Sequence, residues 1–468
     1  MKPRSSASGF TLVELTVALV AGLIVAMGIV GLSHEATATF NEEVRNSATE
    51  AALRTAVDRL RADLQRAGYM STGNIVGDNM IATVAGVPNV ARIANGMKGL
   101  LQLASIQLVE GGSATANGLA LSGVQSPALA PDYLLIGGNM TCAEQFDVAK
   151  IMPAAGACQQ IMLSAVSPAV WRVATAGVGN LPLASAQLNN VFAPVVGNGS
   201  TAQFMVRLLD DTGHSQYLAT CQQANVAGVD NSGQPFVWID ATTTPILVAQ
   251  AGSIGGISGI AAGHAWVNPV QLVRWEITST TQEAATQKQF VNGLGNIVQG
   301  TEVDLNKYDL MRSYVDASGN VIPQSSEIVA EYAVDFDVAF TVDNTVYAVG
   351  GIQTPNLVSF AFDDVADNGL WGATVLGLAA PPASPPASQG PQRIRSVRAR
   401  LVTRTALPDR AGTVPVVNQY GQEEFMYRYC MQAGGCPTGG NTGNLPWFAR
   451  ARTITTEVSL PNNSGFTY

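Results

Sequence analysis

The chain has 468 residues, of which 47% are hydrophobic and 13% charged, with 25 Lys and Arg against 34 Asp and Glu for a formal charge of −9. That length supports one large or two smaller lobes whose core needs no metal or disulfide staple. The acidic balance argues against a nucleic-acid backbone as partner, and 47 Gly among abundant Ala, Ser, Thr and Val point to a β-rich protein with long loops.

The first element is an apolar run over residues 10–32, behind a basic leader with Lys2 and Arg4 and a small residue at Gly9. As a helix it spans roughly 35 Å, enough to cross a bilayer, and its only formal charge is Glu14. A carboxylate in hydrocarbon costs roughly 2.5 kcal/mol or more, so Glu14 needs a partner or a function. The run supplies no cation. Cleavage after Gly9 would create one, because the α-amine of Phe10 would then lie one helical turn from Glu14, within reach of a neighbouring copy of the helix.

The stretch Gly9-Phe10-Thr11-Leu12-Val13-Glu14-Leu15 behind a short basic leader resembles the N-terminus of the type IV prepilin family. The resemblance implies cleavage by a prepilin peptidase on the cytoplasmic side, N-methylation of Phe10, and packing of the helix with other minor and major pilins in a filament core. Two alternatives use the same residues. A secretory signal would be cut near Ala36-Thr37-Ala38, but its apolar run should hold about 7 to 15 residues. A plain single-span anchor would let Glu14 snorkel to the cytoplasmic face.

The organisation expected is a leader over 1–9, a transmembrane and filament-core helix over 10–34, an amphipathic helix half over 35–68 and an extracytoplasmic head over 69–468. Lys2 and Arg4 hold the N-terminus inside. Phe40, Val44, Ala48 and Ala51 recur at helical spacing, and Leu53, Val57, Leu60, Leu64 and Ala67 follow at steps of four and three. Glu50 with Arg54, and Arg59 with Asp63, are opposite charges four apart, and Gly68 is a candidate C-cap. The pattern predicts one helix over 10–67, its second half packed on the head. Gly28 and Gly31 cost about 1 kcal/mol each in a helix interior, which leaves both local melting and continuity open.

Beyond Gly68 the period becomes two. Strands are expected over 101–109 and 133–136, over 204–209 turning through Asp210-Asp211-Thr212-Gly213 into 216–221, and over 270–277. Residues 174–200 and 251–263 read as long loops. Residues 328–342 read as one long strand that Asp343-Asn344 turns into 346–349. A Pro-rich loop near 380–391 precedes strands over 393–405 and 453–460. In that order VAEYAVDFDVAF, IRSVRARLVTRT and RARTITTEVSLPNN resemble the large PilW-type minor pilins. This second resemblance covers about a quarter of the head and implies an α+β fold, a long N-terminal helix packed on a large β-rich pilin-like head of one or two lobes.

Candidate chemistry is sparse. The sequence holds no phosphate loop, no His-Glu-x-x-His and no Gly-x-Ser-x-Gly, so neither an enzyme nor a cofactor nor a metal is expected. The acidic clusters at 210–213 and 363–369 lack a full calcium loop and read as solvated turns. Arg393, Arg395, Arg398, Arg400 and Arg404 split across both faces of their strand and read as local ion pairs. Outside the cytoplasm disulfides can form, and sequence proximity favours Cys142 with Cys158 and Cys430 with Cys436, leaving Cys221, with other pairings open.

A 400-residue head would crowd a regular filament shaft, where every copy must fit among its neighbours. It fits better at the tip. The expected role is a low-abundance type IV pilus subunit that primes assembly at the inner membrane, head in the periplasm, and then caps the filament at the cell surface. The resemblance alone adds a large tip adhesin as partner, and twitching motility and adhesion as the processes served. The alternatives are a minor pseudopilin of a type II secretion system, with the same N-terminus, and an adhesin head that binds a surface or glycan near Trp171, Trp238 and Trp266.

Overall fold

The structure, a computed structural model, describes residues 11–78, 80–84, 87–88, 93–109, 111, 131–141, 145–164, 181–195, 202–211, 213–223, 225–231, 233–246, 265–278, 289–291, 297–299, 307–343, 345, 356–362, 390–406, 428–430 and 448–465. The chain divides into two compact units, Met1–Ala51 and Ala52–Tyr468. Helix α1 (Leu12–Gln65, 54 residues) contributes to both.

In the first unit α1 is long and apolar enough to cross a membrane. Its large side chains are bare: Leu12, Leu19, Leu23, Ile24, Met27 and Leu32 are each between 57% and 80% exposed. The polar groups among them are satisfied locally, as where the Thr16 hydroxyl donates to the Leu12 carbonyl at 3.1 Å and the Val13 carbonyl at 2.9 Å. The helix passes through Gly28 and Gly31 unbroken.

The second unit begins with the end of α1, where Leu53, Ala56, Val57, Leu60 and Leu64 are buried at the spacing of one helix face. Then follow β1 (Thr83–Val84), β2 (Val87–Pro88), α2 (Lys98–Leu101), β3 (Ile106–Val109), β4 (Tyr133–Gly138), β5 (Phe146–Ile151), β6 (Cys158–Leu163) and α3 (Leu181–Phe192). Next come β7 (Met205–Asp210), β8 (Ser215–Ala219), β9 (Ala227–Val229), β10 (Pro235–Asp240), β11 (Ala265–Thr278), β12 (Gln289–Val291), β13 (Ile297–Gln299) and β14 (Asp309–Val315). The chain closes with β15 (Glu327–Ala330), β16 (Ala333–Asp343), β17 (Leu357–Ser359), β18 (Ile394–Arg404), β19 (Arg428–Cys430) and β20 (Phe448–Ser459). With one long apolar helix and a largely β body, the fold is α+β.

Strand β11 organises the larger sheet, which has eleven strands among the described residues. Its first half pairs antiparallel with β7 and briefly with β5, and its second half lies between β4 and β14. Pro269, which has no N–H to give, sits at the changeover, after the β5 pairing ends and before the β14 pairing begins. The two halves feed different cores. Val267 packs with β6, β7, β10 and α3, whereas Val273, Trp275 and Ile277 pack with the end of α1. A five-stranded antiparallel sheet in the order β17-β16-β18-β20-β19 supplies Phe336, Val338, Phe340, Val397, Ala399 and Leu401 to that same core.

The long strand expected over 328–342 is in fact two. Tyr332 adopts a left-handed φ of 55°, and the chain leaves β15 in the larger sheet to enter β16 in the smaller one. The crossing is pinned by backbone and ring: Tyr332 N donates to Asp309 Oδ1 at 3.0 Å, and Lys307 Nζ and the Arg404 guanidinium stand over its ring, 5.2 and 4.9 Å from the centroid. The strand expected over 101–109 is confined to β3, because α2 takes Leu101. The expected strand over 346–349 and the Pro-rich loop at 381–386 lie outside the described residues.

Candidate functional site

The N-terminal end of α1 carries Glu14. Gly9 and Phe10 lie outside the described residues. Thr11 caps the helix: its hydroxyl accepts from Glu14 N at 3.3 Å, and Glu14 Oε2 accepts from both Thr11 N and Thr11 Oγ1 at 3.0 Å. This is a reciprocal capping box. Its signature, Thr11-x-x-Glu14 ahead of an apolar run, is readable in the sequence. The carboxylate is therefore held by its own helix end, where the helix dipole also favours a negative charge. Thr11 engages Oε2, and a carboxylate accepts on both oxygens, so an incoming amine can be bound without dismantling the cap.

In the second unit the end of α1 is seated by a buried acid. Asp63 is 4% exposed and accepts from Arg312 Nε at 2.6 Å and Trp275 Nε1 at 3.0 Å on Oδ2, and from Arg312 Nη2 at 3.2 Å on Oδ1. The pairing of Asp63 with Arg59 suggested by their spacing is not formed; Arg59 instead reaches Glu327 at 3.5 Å. Asp63 lies on the buried face of the helix and Arg59 on the exposed one, so the nearest cation to Asp63 comes from β14. Burial works against the charge of Arg312, but Asp63 and Tyr314 outweigh it and hold the guanidinium above its ordinary range.

The helix ends at Gln65, and the turn that follows it closes on Gly68, whose φ of 71° suits the stop expected there from sequence. Gly68 N donates to Gly137 O at 2.8 Å, and Asn462 Nδ2 reaches the carbonyls of Gln65 and Ala67 at 3.0 and 3.2 Å. The close approach depends on glycine at the end of β4: a Cβ on Gly137 would stand 2.2 Å from Ala104 O, and one on Gly138 would stand 2.3 Å from Arg66 O.

Other sequence candidates resolve into structure. Arg400 pairs with Asp335 and Asp337, Arg395 with Asp343 at 3.0 Å, Arg398 donates to Phe360 O, Arg393 to Thr345 O at 3.5 Å and Arg404 to Thr405 O at 3.1 Å. Asp210 closes the hairpin between β7 and β8 by accepting from His214 N at 2.8 Å. No group of three or more His, Cys, Asp or Glu that could hold a metal ion occurs among the described residues, and the 363–369 cluster and Trp171 lie outside them. Trp238 stands edge-on to Phe236, with ring centroids 5.8 Å apart.

The disulfide differs from the one proximity favours. Cys158 pairs with Cys221, Cα atoms 5.8 Å apart, and not with Cys142. Strand β10 is the reason: Cys158 faces Asp240 and Thr220 faces Ile239, so two residues distant in sequence meet across it. Cys142, Cys436 and the side chain of Cys430 lie outside the described residues.

Comparison with known proteins found no matching family model, no matching curated protein and no matching solved structure.

Proposed function

We propose that the chain is a minor type IV pilus subunit that helps prime assembly at the inner membrane and stands at or near the filament tip, its head in the periplasm before assembly. The observation that carries this reading is the run from Gly9 to Leu15, followed by an apolar helix whose side chains are bare from Leu12 to Leu32. So much exposed apolar surface calls for lipid or other helices around it. The capped Glu14 adds an acid at the edge of that surface, where a Phe10 amine freed by prepilin peptidase, on this or a neighbouring pilin, offers the matching charge. The pilin-like character of the body, the other pilins as partners and a large tip adhesin belong to this proposal.

The test is the mature N-terminus. Mass spectrometry of the protein from cells should find N-methylated Phe10 as the first residue, and sheared pili should contain the chain at trace level. A protein that begins at Met1, or beyond the apolar run, removes the proposal. A Phe10 start with the chain absent from pili moves it to a secretion pseudopilus.

A further inference from the structure

The asparagines at the surface of the body are not chemically alike. Asn95 is followed by Gly96 in a turn that Met97 N closes by donating to Ala94 O at 2.9 Å, and both central residues are exposed. Neither the Asn95 side chain nor Gly96 N makes a hydrogen bond among the described residues. A Cβ on Gly96 would meet nothing within 4 Å, so the space beside that nitrogen is open. Asn320 is also exposed, but the residue after it is the β-branched Val321, which bridges to Val315. Asn462 commits its amide to the carbonyls of Gln65 and Ala67, and the N–H that follows it, on Asn463, donates to Leu460 O at 3.2 Å.

We propose that Asn95 is a self-modification site, converted to aspartate and isoaspartate in the folded protein. Hydroxide takes the proton of Gly96 N, and that nitrogen attacks Cγ of Asn95. The Cγ–Nδ2 bond breaks, and the departing nitrogen takes a proton from water and leaves as ammonia, closing a succinimide ring. Water then opens the ring at either carbonyl. One route gives aspartate; the other gives isoaspartate, whose backbone runs through the former side chain. No electrons are exchanged, and water is the only co-reactant. Glycine serves the step because it puts no side chain beside the attacking nitrogen and lets the backbone reach the attacking geometry. Ile93 and Met97, on either side of the turn, are 5% and 6% exposed and pack in one core with Leu100, Tyr217 and Leu272. Isoaspartate lengthens the main chain between those two anchors by one carbon, whereas aspartate leaves its path unchanged. In a close-packed core the isoaspartate form is the destabilised product, and its fraction grows with the age of each molecule. The inference holds whether or not the chain enters a filament.

The full-length chain in detergent micelles can be held at neutral and at mildly alkaline pH beside a synthetic peptide of residues 90–100, which sets the rate of the unrestrained sequence. Mass spectrometry of the tryptic peptide over 93–98 should show Asn95 losing its amide at nearly the rate of the free peptide, faster at the higher pH, while Asn320 and Asn462 stay intact. Isoaspartate is identified by the methyl group that an isoaspartate methyltransferase transfers to it from S-adenosylmethionine. Gly96→Val meets open space at a φ outside the left-handed region, so it should keep the fold and slow conversion to the level of Asn320. Fractions rich in isoaspartate should unfold at lower denaturant than the parent, and Asn95→Asp should match the parent. An Asn95 that stays amidated in the chain while the peptide converts, or a Gly96→Val variant that converts as fast as the parent, overturns the proposal. Equal unfolding midpoints for the isoaspartate and aspartate forms overturn its effect on the body.

Discussion

Glu14 and Asp63 are both acids on α1, one held by its own helix end and the other by side chains of the body. Glu14 is conspicuous because hydrocarbon surrounds it in sequence, and the Thr11 cap three residues earlier explains how the isolated helix tolerates it. Asp63 is inconspicuous, one of several charges on an amphipathic stretch, yet it holds the more demanding position. Its partners Trp275 and Arg312 are more than 200 residues away, and no spacing rule reaches across that distance. Replacing Asp63 with Ala strands a buried guanidinium and should cost about 3–5 kcal/mol in denaturant unfolding, whereas Asp63→Leu with Arg312→Met should recover most of that loss. Equal losses in the single and double variants count against the pair. Asp240 gives a pH signature. Burial opposes its charge, but hydrogen bonds from Thr242 and Thr243 prevail and hold its carboxyl below the usual carboxylate value of 3.8. Its folded value lies below the unfolded one, so its contribution is complete above the unfolded value and is lost as pH falls through the folded one. Asp240→Asn should therefore be less stable than the parent at neutral pH and converge with it in acid; a constant gap down to the acid limit contradicts this.

At the scale of elements, the helix carries two apolar stripes with different fates. Leu53, Val57, Leu60 and Leu64 are buried, but Phe40 and Val44 remain 65% and 49% exposed. Periodicity reports that a face is apolar and not what covers it, which is why the whole stripe from Phe40 onward read as packing surface. Leu60→Ala should cost about 2–5 kcal/mol of body stability, while Val44→Ala should stay within about 0.5 kcal/mol in the isolated chain. Comparable losses at both sites place a hidden contact on Val44. The strands were legible where alternation was clean, as in β7, β8, β11 and β18. They were misread where one apolar run serves two sheets: the alternation over 328–342 continues through Tyr332, and only tertiary contacts with Asp309, Lys307 and Arg404 turn the chain there.

At the scale of the whole molecule, the two units differ in what they need. Every described core residue falls at Leu53 or later, so the body draws its buried apolar surface from its own sequence. Among its described residues the first unit has exposed apolar side chains and no core of its own. Composition foreshadowed a β-rich head and an apolar span, but the point of division, between Ala51 and Ala52, lies inside an uninterrupted helix and leaves no mark in the residues. A chain lacking residues 1–51 should accordingly stay soluble without detergent, keep the Cys158–Cys221 bond, and unfold cooperatively. Its α1 remnant still holds Leu53, Leu60, Asp63 and Leu64 in place. The loss should fall chiefly on helix content and membrane retention, both measurable by circular dichroism and fractionation. The sharper reading comes from repeating Asp63→Ala in that shortened chain. If the body is self-sufficient, the same cost of about 3–5 kcal/mol returns, because the acid and both its partners lie within Ala52–Tyr468. A much smaller cost, or a shortened chain that does not unfold cooperatively, means that the first half of the helix also supports the body.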